Sequence, residues 1–219
     1  MSVKREGLII NEYIKHKYSV DPTRSETHLV DEKTVTLGKL SLPAVGAPLN
    51  HRLGKKSLRL PEAIQIAVYE SGKLLQLANI DVDAPLGSRW GVYVDAPYSH
   101  IENTYQLMKE AYDSSPAYIS PIKFPSSVLN SMSGWLSVAY GITGPNSTIF
   151  NGFTGGRGAF DLAVKNIDAG RLDYALVVYL KEYTPYILEN ITIEQHRLHF
   201  EEEMTILILQ SPHVNSKEA

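Results

Sequence analysis

Two rhythms of apolar and polar positions run along this chain, and their periods separate helix from strand. Leu60, Ala63, Ile64, Ala67, Val68 and Leu75 recur at helical spacing. They predict a first helix from Ser57 or Pro61 to Leu77, since a proline is tolerated in a helix's first turn. Ile101, Tyr105, Leu107, Met108 and Tyr112 repeat that period and predict a second helix over His100 to Tyr112. Ser126 to Tyr140 reads as a third helix and Thr154 to Ala169 as a fourth.

Strands are expected at Val3 to Ile14, Gly91 to Asp95, Ser147 to Asn151, Tyr174 to Leu180 and Met204 to Gln210. The continuous Ala-Leu-Val-Val of Tyr174 to Leu180 suits a strand covered on both faces. Residues 18–56 carry Pro22, Pro43, Pro48, Gly38, Gly46 and Gly54 without a sustained period, and read as an irregular run of strands and loops. Residues 212–219 are expected to fray. Alternating strands and helices indicate an α/β architecture, one mixed sheet of about five strands with helices on both faces, built as one domain over residues 1–219.

Twenty-one basic against 24 acidic side chains, a net charge of −3, give no electrostatic case for nucleic acid or an anionic membrane surface. No apolar run approaches the ~20 residues of a membrane span. The opening MSVKREGLII has too short an apolar stretch for a signal peptide, so a cytoplasmic location is expected. The chain has no cysteine, which removes disulfides, thiolate metal ligands and thiol nucleophiles together.

Other candidate chemistry is sparse. His196 and His199 stand three apart beside Glu201 to Glu203, but a metal site needs further converging ligands, and none is expected. Asp95, Ser99 and His100 supply the residue types of a hydrolytic triad without a GxSxG elbow. GFTGGRG, Gly152 to Gly158, fits neither a phosphate loop nor a GxGxxG fingerprint, so no cofactor is expected. The 13 tyrosines suggest packing and interface material before any reaction. Arg157, Asp161, Lys165 and Asp168 form one charged stripe on the fourth helix, with Ala159, Phe160, Ala163, Val164 and Ile167 opposite. That stripe is expected to be solvated or to meet a polar partner surface.

The run GPNSTIFNGFTGGRGAFDLAVKNIDAGRLDYALVV, Gly144 to Val178, resembles the nucleophile elbow of a β-ketoacyl synthase of the thiolase superfamily. FPSSVLNSMSGWLSVAYGITGP, Phe124 to Pro145, resembles the stretch leading into it, and SLRLPEAIQIAVYESGKLLQLANID is similar to the family's first long helix. The resemblance implies the N-terminal half of a ketosynthase, with Phe153 where the reactive cysteine is expected. Asn151, Gly152, Phe153, Thr154 and Gly155 would then form a vestigial elbow beside an acyl pocket. Phe153 has two roles open to it, plugging the space of an acyl chain's first carbons or simply filling core. Thr154 has the more ordinary role of capping the helix, worth on the order of 1 kcal/mol.

Without the cysteine, and without the two histidines that the family carries in a second half, no independent condensing activity is expected and no residue is assigned as catalytic. The resemblance also implies dimerisation through Ser147, Thr148, Ile149, Phe150 and Asn151, in a homodimer or a heterodimer with a catalytic ketosynthase, with an acyl-carrier protein as a further partner. The expected role is a chain-length-influencing or scaffolding subunit in fatty-acid or polyketide-type biosynthesis. Two alternatives stay open: a stand-alone acyl-chain or small-molecule binding module, and a hydrolase or acyltransferase using a serine or threonine nucleophile.

Overall fold

The computed structural model describes residues 16–18, 25–30, 33–38, 53–54, 60–98, 100–121, 123–150, 157–184, 186–188 and 199–214, those at 16–18, 25–30, 33–38 and 199–201 by backbone alone. Strands are β1 (His16–Tyr18), β2 (Ser25–Val30), β3 (Lys33–Gly38), β4 (Trp90–Asp95), β5 (Asn146–Ile149), β6 (Tyr174–Lys181), β7 (His199–Glu201) and β8 (Glu203–Gln210). Helices are α1 (Glu62–Leu77), α2 (Ile101–Asp113), α3 (Ser131–Tyr140) and α4 (Gly158–Asp168). The strand expected over Val3 to Ile14 lies outside the described residues.

The main sheet has five strands in the order β1-β8-β6-β4-β5. β6, β4 and β5 run parallel, while β8 is antiparallel to β6 and β1 antiparallel to β8. A second sheet of order β2-β3-β7 takes the β2–β3 hairpin from the 18–56 region and pairs β3 with β7 in parallel.

Side chains alternate across a strand, so β6 feeds two cores at once. Leu176, Val178 and Leu180 join one cluster, with Val92 and Val94 of β4, Met204 and Ile206 of β8, and the inner faces of α1 and α3. Ala175 and Val177 join the other, with Tyr93, Leu207, Leu209 and the apolar side of α4. Helices therefore cover both faces. Each fully buried Leu, Ile or Val contributes about 1.5–3 kcal/mol relative to exposure, so the centre of the sheet is the most strongly held part of the molecule.

α1 forms as its apolar spacing requires. Leu60, Ala63, Ile64, Ala67, Val68 and Leu75 are all buried, and Pro61 stands at the helix cap with Glu62 in the first turn. Tyr140 of α3 donates its hydroxyl to the carbonyl of Val68, and burial raises its pKa far above the usual phenol range.

One expectation is corrected. The helix expected over Ser126 to Tyr140 begins only at Ser131; residues Phe124–Ser126 form a 3₁₀ turn instead. Pro125 occupies that turn, and Ser127 Oγ donates to the carbonyl of Phe124 at 2.8 Å, so a local side-chain bond competes with the helical ladder. The second helix forms as expected, as α2, and of the residues in its period only Leu107 is buried. α2 packs mainly on the 3₁₀ turns Pro116–Tyr118 and Phe124–Ser126 rather than on the sheet, which leaves Tyr105, Met108 and Tyr112 exposed.

Candidate functional site

The site begins at a glycine that no other residue can replace without a clash. A Cβ on Gly144 would lie 2.1 Å from the carbonyl oxygen of Trp90 and 2.5 Å from that of Ser88. This close approach lets Val92 N–H donate to the Pro145 carbonyl at 2.9 Å, which brings the chain alongside β4. Just upstream, Gly141 ends α3 in the left-handed region at φ 60°, ψ 36°. Gly87 N–H donates to the Gly141 carbonyl at 2.9 Å, and Thr143 N–H to the Gly87 carbonyl at 3.0 Å. The Gly-Pro pair is thus explained by backbone packing alone.

β5 follows at the edge of the main sheet, with Val92 opposite Asn146 and Asp95 opposite Ile149. Among the described residues, no strand pairs with its outer side. Asn146 Nδ2 donates to the Ser133 carbonyl at 2.8 Å and to Ser137 Oγ at 2.7 Å. Ser133 Oγ donates to the Asn130 carbonyl at 3.0 Å and lies 2.9 Å from Thr148 Oγ1. Three of these contacts fix the edge strand to α3. Phe150, beyond the strand, is 56% exposed and meets the Tyr98 ring edge-on at 5.6 Å.

Of the residues expected at the site, Ser147, Thr148 and Ile149 lie in β5 and Phe150 follows it directly. Asn151, Gly152, Phe153, Thr154 and Gly155 lie outside the described residues. Arg157 directly precedes α4. The helix expected from Thr154 is described from Gly158. Phe160 N–H donates to Tyr179 Oη at 3.1 Å, so a tyrosine of β6 satisfies one of the free amides of the first turn. Burial raises the pKa of that tyrosine; the bond from Phe160 opposes the rise, and the charges of Asp95 and Asp161 add to it.

Arg157, Asp161, Lys165 and Asp168 are all exposed, while Ala159, Ala163, Val164 and Ile167 are buried. The guanidinium of Arg157 lies over the Phe160 ring, 4.8 Å from its centroid. At the other end of α4, Arg89 forks onto Asp173, with Nη2 to Oδ1 at 2.7 Å and Nε to Oδ2 at 3.1 Å. Its Nη1 donates to the carbonyls of Gly170 and Arg171 at 2.8 and 3.1 Å. Arg89 thereby ties the start of β4 to the turn between α4 and β6.

Asp95 ends β4 and is buried, His100 precedes α2, and Ser99 lies outside the described residues. Burial pushes the His100 imidazole below its ordinary pKa. His199 falls in β7 and His196 lies outside the described residues. Among the described residues, no three His, Asp or Glu side chains converge as a metal site, and no helix is long and apolar enough to cross a membrane.

Sequence reasoning missed Ser133, Ser137 and Asn146 as the fixings of the edge strand. Small polar residues on an amphipathic helix carry no distinguishing signal until their partner strand is placed.

The family description "Beta-ketoacyl synthase, N-terminal domain" matches residues 26–181. No curated protein matches the chain. Among solved structures, the ishigamide ketosynthase/chain length factor is similar at 18% identity and a TM-score of 0.65, over 79% of this chain and 49% of that one. A β-ketoacyl synthase from Burkholderia phymatum is similar at 16% identity and a TM-score of 0.63, over 85% and 50%. The ketosynthase ApeO in complex with its chain length factor ApeC, from Xenorhabdus doucetiae, is similar at 20% identity and a TM-score of 0.58, over 78% and 63%. The chain spans about half the length of the first two.

Proposed function

The chain belongs to the β-ketoacyl synthase family through its N-terminal domain, and on that premise we propose that it acts as a non-condensing partner subunit in fatty-acid or polyketide-type biosynthesis. The observation that carries this reading is the edge strand β5, held rigidly to α3 while its outer backbone lacks a strand partner among the described residues. An unpaired edge presents a row of backbone donors and acceptors that can template another strand, and charge or proline is one way such an edge is blunted. β5 reads NSTI, with neither.

The partner in this reading is a second copy or a catalytic ketosynthase whose equivalent strand adds antiparallel to β5. Acyl groups would reach the catalytic partner on a carrier protein. In this reading Phe153 takes the place of the family's sulfur nucleophile, and a phenyl ring cannot be acylated, so chemistry would belong to the partner. Its ring would fill the space beside the corner and bear on chain length.

Incubation with acyl-pantetheine thioesters, followed by intact-mass analysis, tests the non-condensing half of the proposal. The expected result is an unmodified chain and no released pantetheine. A stoichiometric acyl adduct or turnover by the purified chain would assign it to an acyltransferase or hydrolase instead.

A further inference from the structure

Helix α2 carries an apolar stripe that the described residues leave exposed. Tyr105, Met108 and Tyr112 are 41%, 68% and 91% exposed, and with Ile101 they line a groove of about 590 Å³. Tyr186 also lines it, its ring stacked on Tyr105 with centroids 4.9 Å apart and planes 25° from parallel. A volume of this size lies within the ~300–1,000 Å³ typical of small-molecule sites.

The two charged side chains that line the groove are committed to each other, while the buried Nδ1 of His100 has no hydrogen-bond partner among the described residues. Lys109 pairs with Asp113 at the rim. Thr104 shares its hydroxyl hydrogen between the carbonyls of His100 and Ser127, at 2.9 and 2.8 Å. His100, at the N-terminal end of the helix, is held toward its neutral form by burial. An ionic ligand would therefore lose hydration without gaining a counter-charge. Flat tyrosine faces and a polarizable thioether instead favour a conjugated ring, which can stack or meet ring edges as a saturated chain cannot.

We propose that this groove binds a neutral, planar aromatic small molecule, lying along α2 against Tyr105, Tyr112 and Tyr186 with Met108 at its edge. The site is on a different element from the β5 edge.

The test is fluorescence titration of the full chain with the neutral probe N-phenyl-1-naphthylamine. One-site saturation with a blue shift is expected, reversed by 2-naphthol and not by 1-decanol at equal concentration. Met108→Asp sets a charge in the groove at an exposed position and should weaken the probe at least tenfold. Leu77→Asp, on α1 and 58% exposed, should leave affinity within twofold. Should Met108→Asp lose its far-ultraviolet circular dichroism, Tyr112→Asp replaces it with the same expectation. Absence of saturable binding, equal displacement by 1-decanol, or a groove variant that binds within twofold of the parent would each overturn the proposal.

Discussion

The hydroxyls of Ser133 and Thr148 lie 2.9 Å apart, joining α3 to the outermost strand of the main sheet. Ser133 is fully buried, so its hydroxyl is committed to this contact and to the Asn130 carbonyl. Replacing it should cost one hydrogen bond's net worth and leave Thr148 without that partner. Ser133→Ala is expected to lower stability by about 1 kcal/mol, read as a shift of the urea midpoint at unchanged slope. A midpoint equal to the parent's would mean that the edge strand does not rely on this link.

Gly144 makes a stronger demand. Its missing Cβ is what admits the carbonyls of Ser88 and Trp90, and neither can retreat without breaking the register of β4. Gly144→Ala should therefore cost about 3 kcal/mol, seen as a large fall in Tm or as loss of folded protein. Tolerance of alanine here would show that β4 and β5 can separate, and would remove the packing explanation for the Gly-Pro pair.

His100 gives a pH dependence with a definite sign. Burial holds its folded pKa below the ordinary 6.5, so the folded state favours the neutral imidazole. The unfolded chain then binds more protons, and stability is complete above pH 6.5 and falls as pH drops through that value toward the folded pKa. Denaturation at a series of pH values should show this loss for the parent and a shallower one for His100→Gln. Parallel profiles for the two proteins would place the pH dependence on other groups.

The charged stripe of α4 predicts the opposite of fragility. Lys165 is exposed, and its replacement by Ala should change stability by no more than about 0.5 kcal/mol. A larger loss in the isolated chain would indicate that this face is covered.

How much of the fold is legible in the sequence depends on what each pattern reports. The apolar run of β6 announces burial on both faces because an unbroken Ala-Leu-Val-Val has no polar side to turn outward, and its residues do feed both cores. The period of α1 likewise marks the face it buries. α2 carries just as clear a period, yet Tyr105, Met108 and Tyr112 face outward, since periodicity shows that a stripe exists and says nothing of what lies opposite. The break at Phe124–Ser126 is hidden by serines that suit a helix and a turn equally, with Pro125 deciding for the turn. At the corner, the residues flanking the expected elbow form a strand and a helix, while Phe153 itself lies outside the described residues.

The central claim is that the β5 edge receives a second chain, and sedimentation velocity at micromolar concentration tests it most directly. The chain alone, or mixed with a catalytic ketosynthase, is expected to sediment as a dimer or a one-to-one complex. Ser147→Lys, which sets a charge on the edge strand, should shift it to monomer while its circular dichroism stays unchanged. A parent chain that remains monomeric in both settings, or a complex indifferent to Ser147→Lys, would contradict the claim.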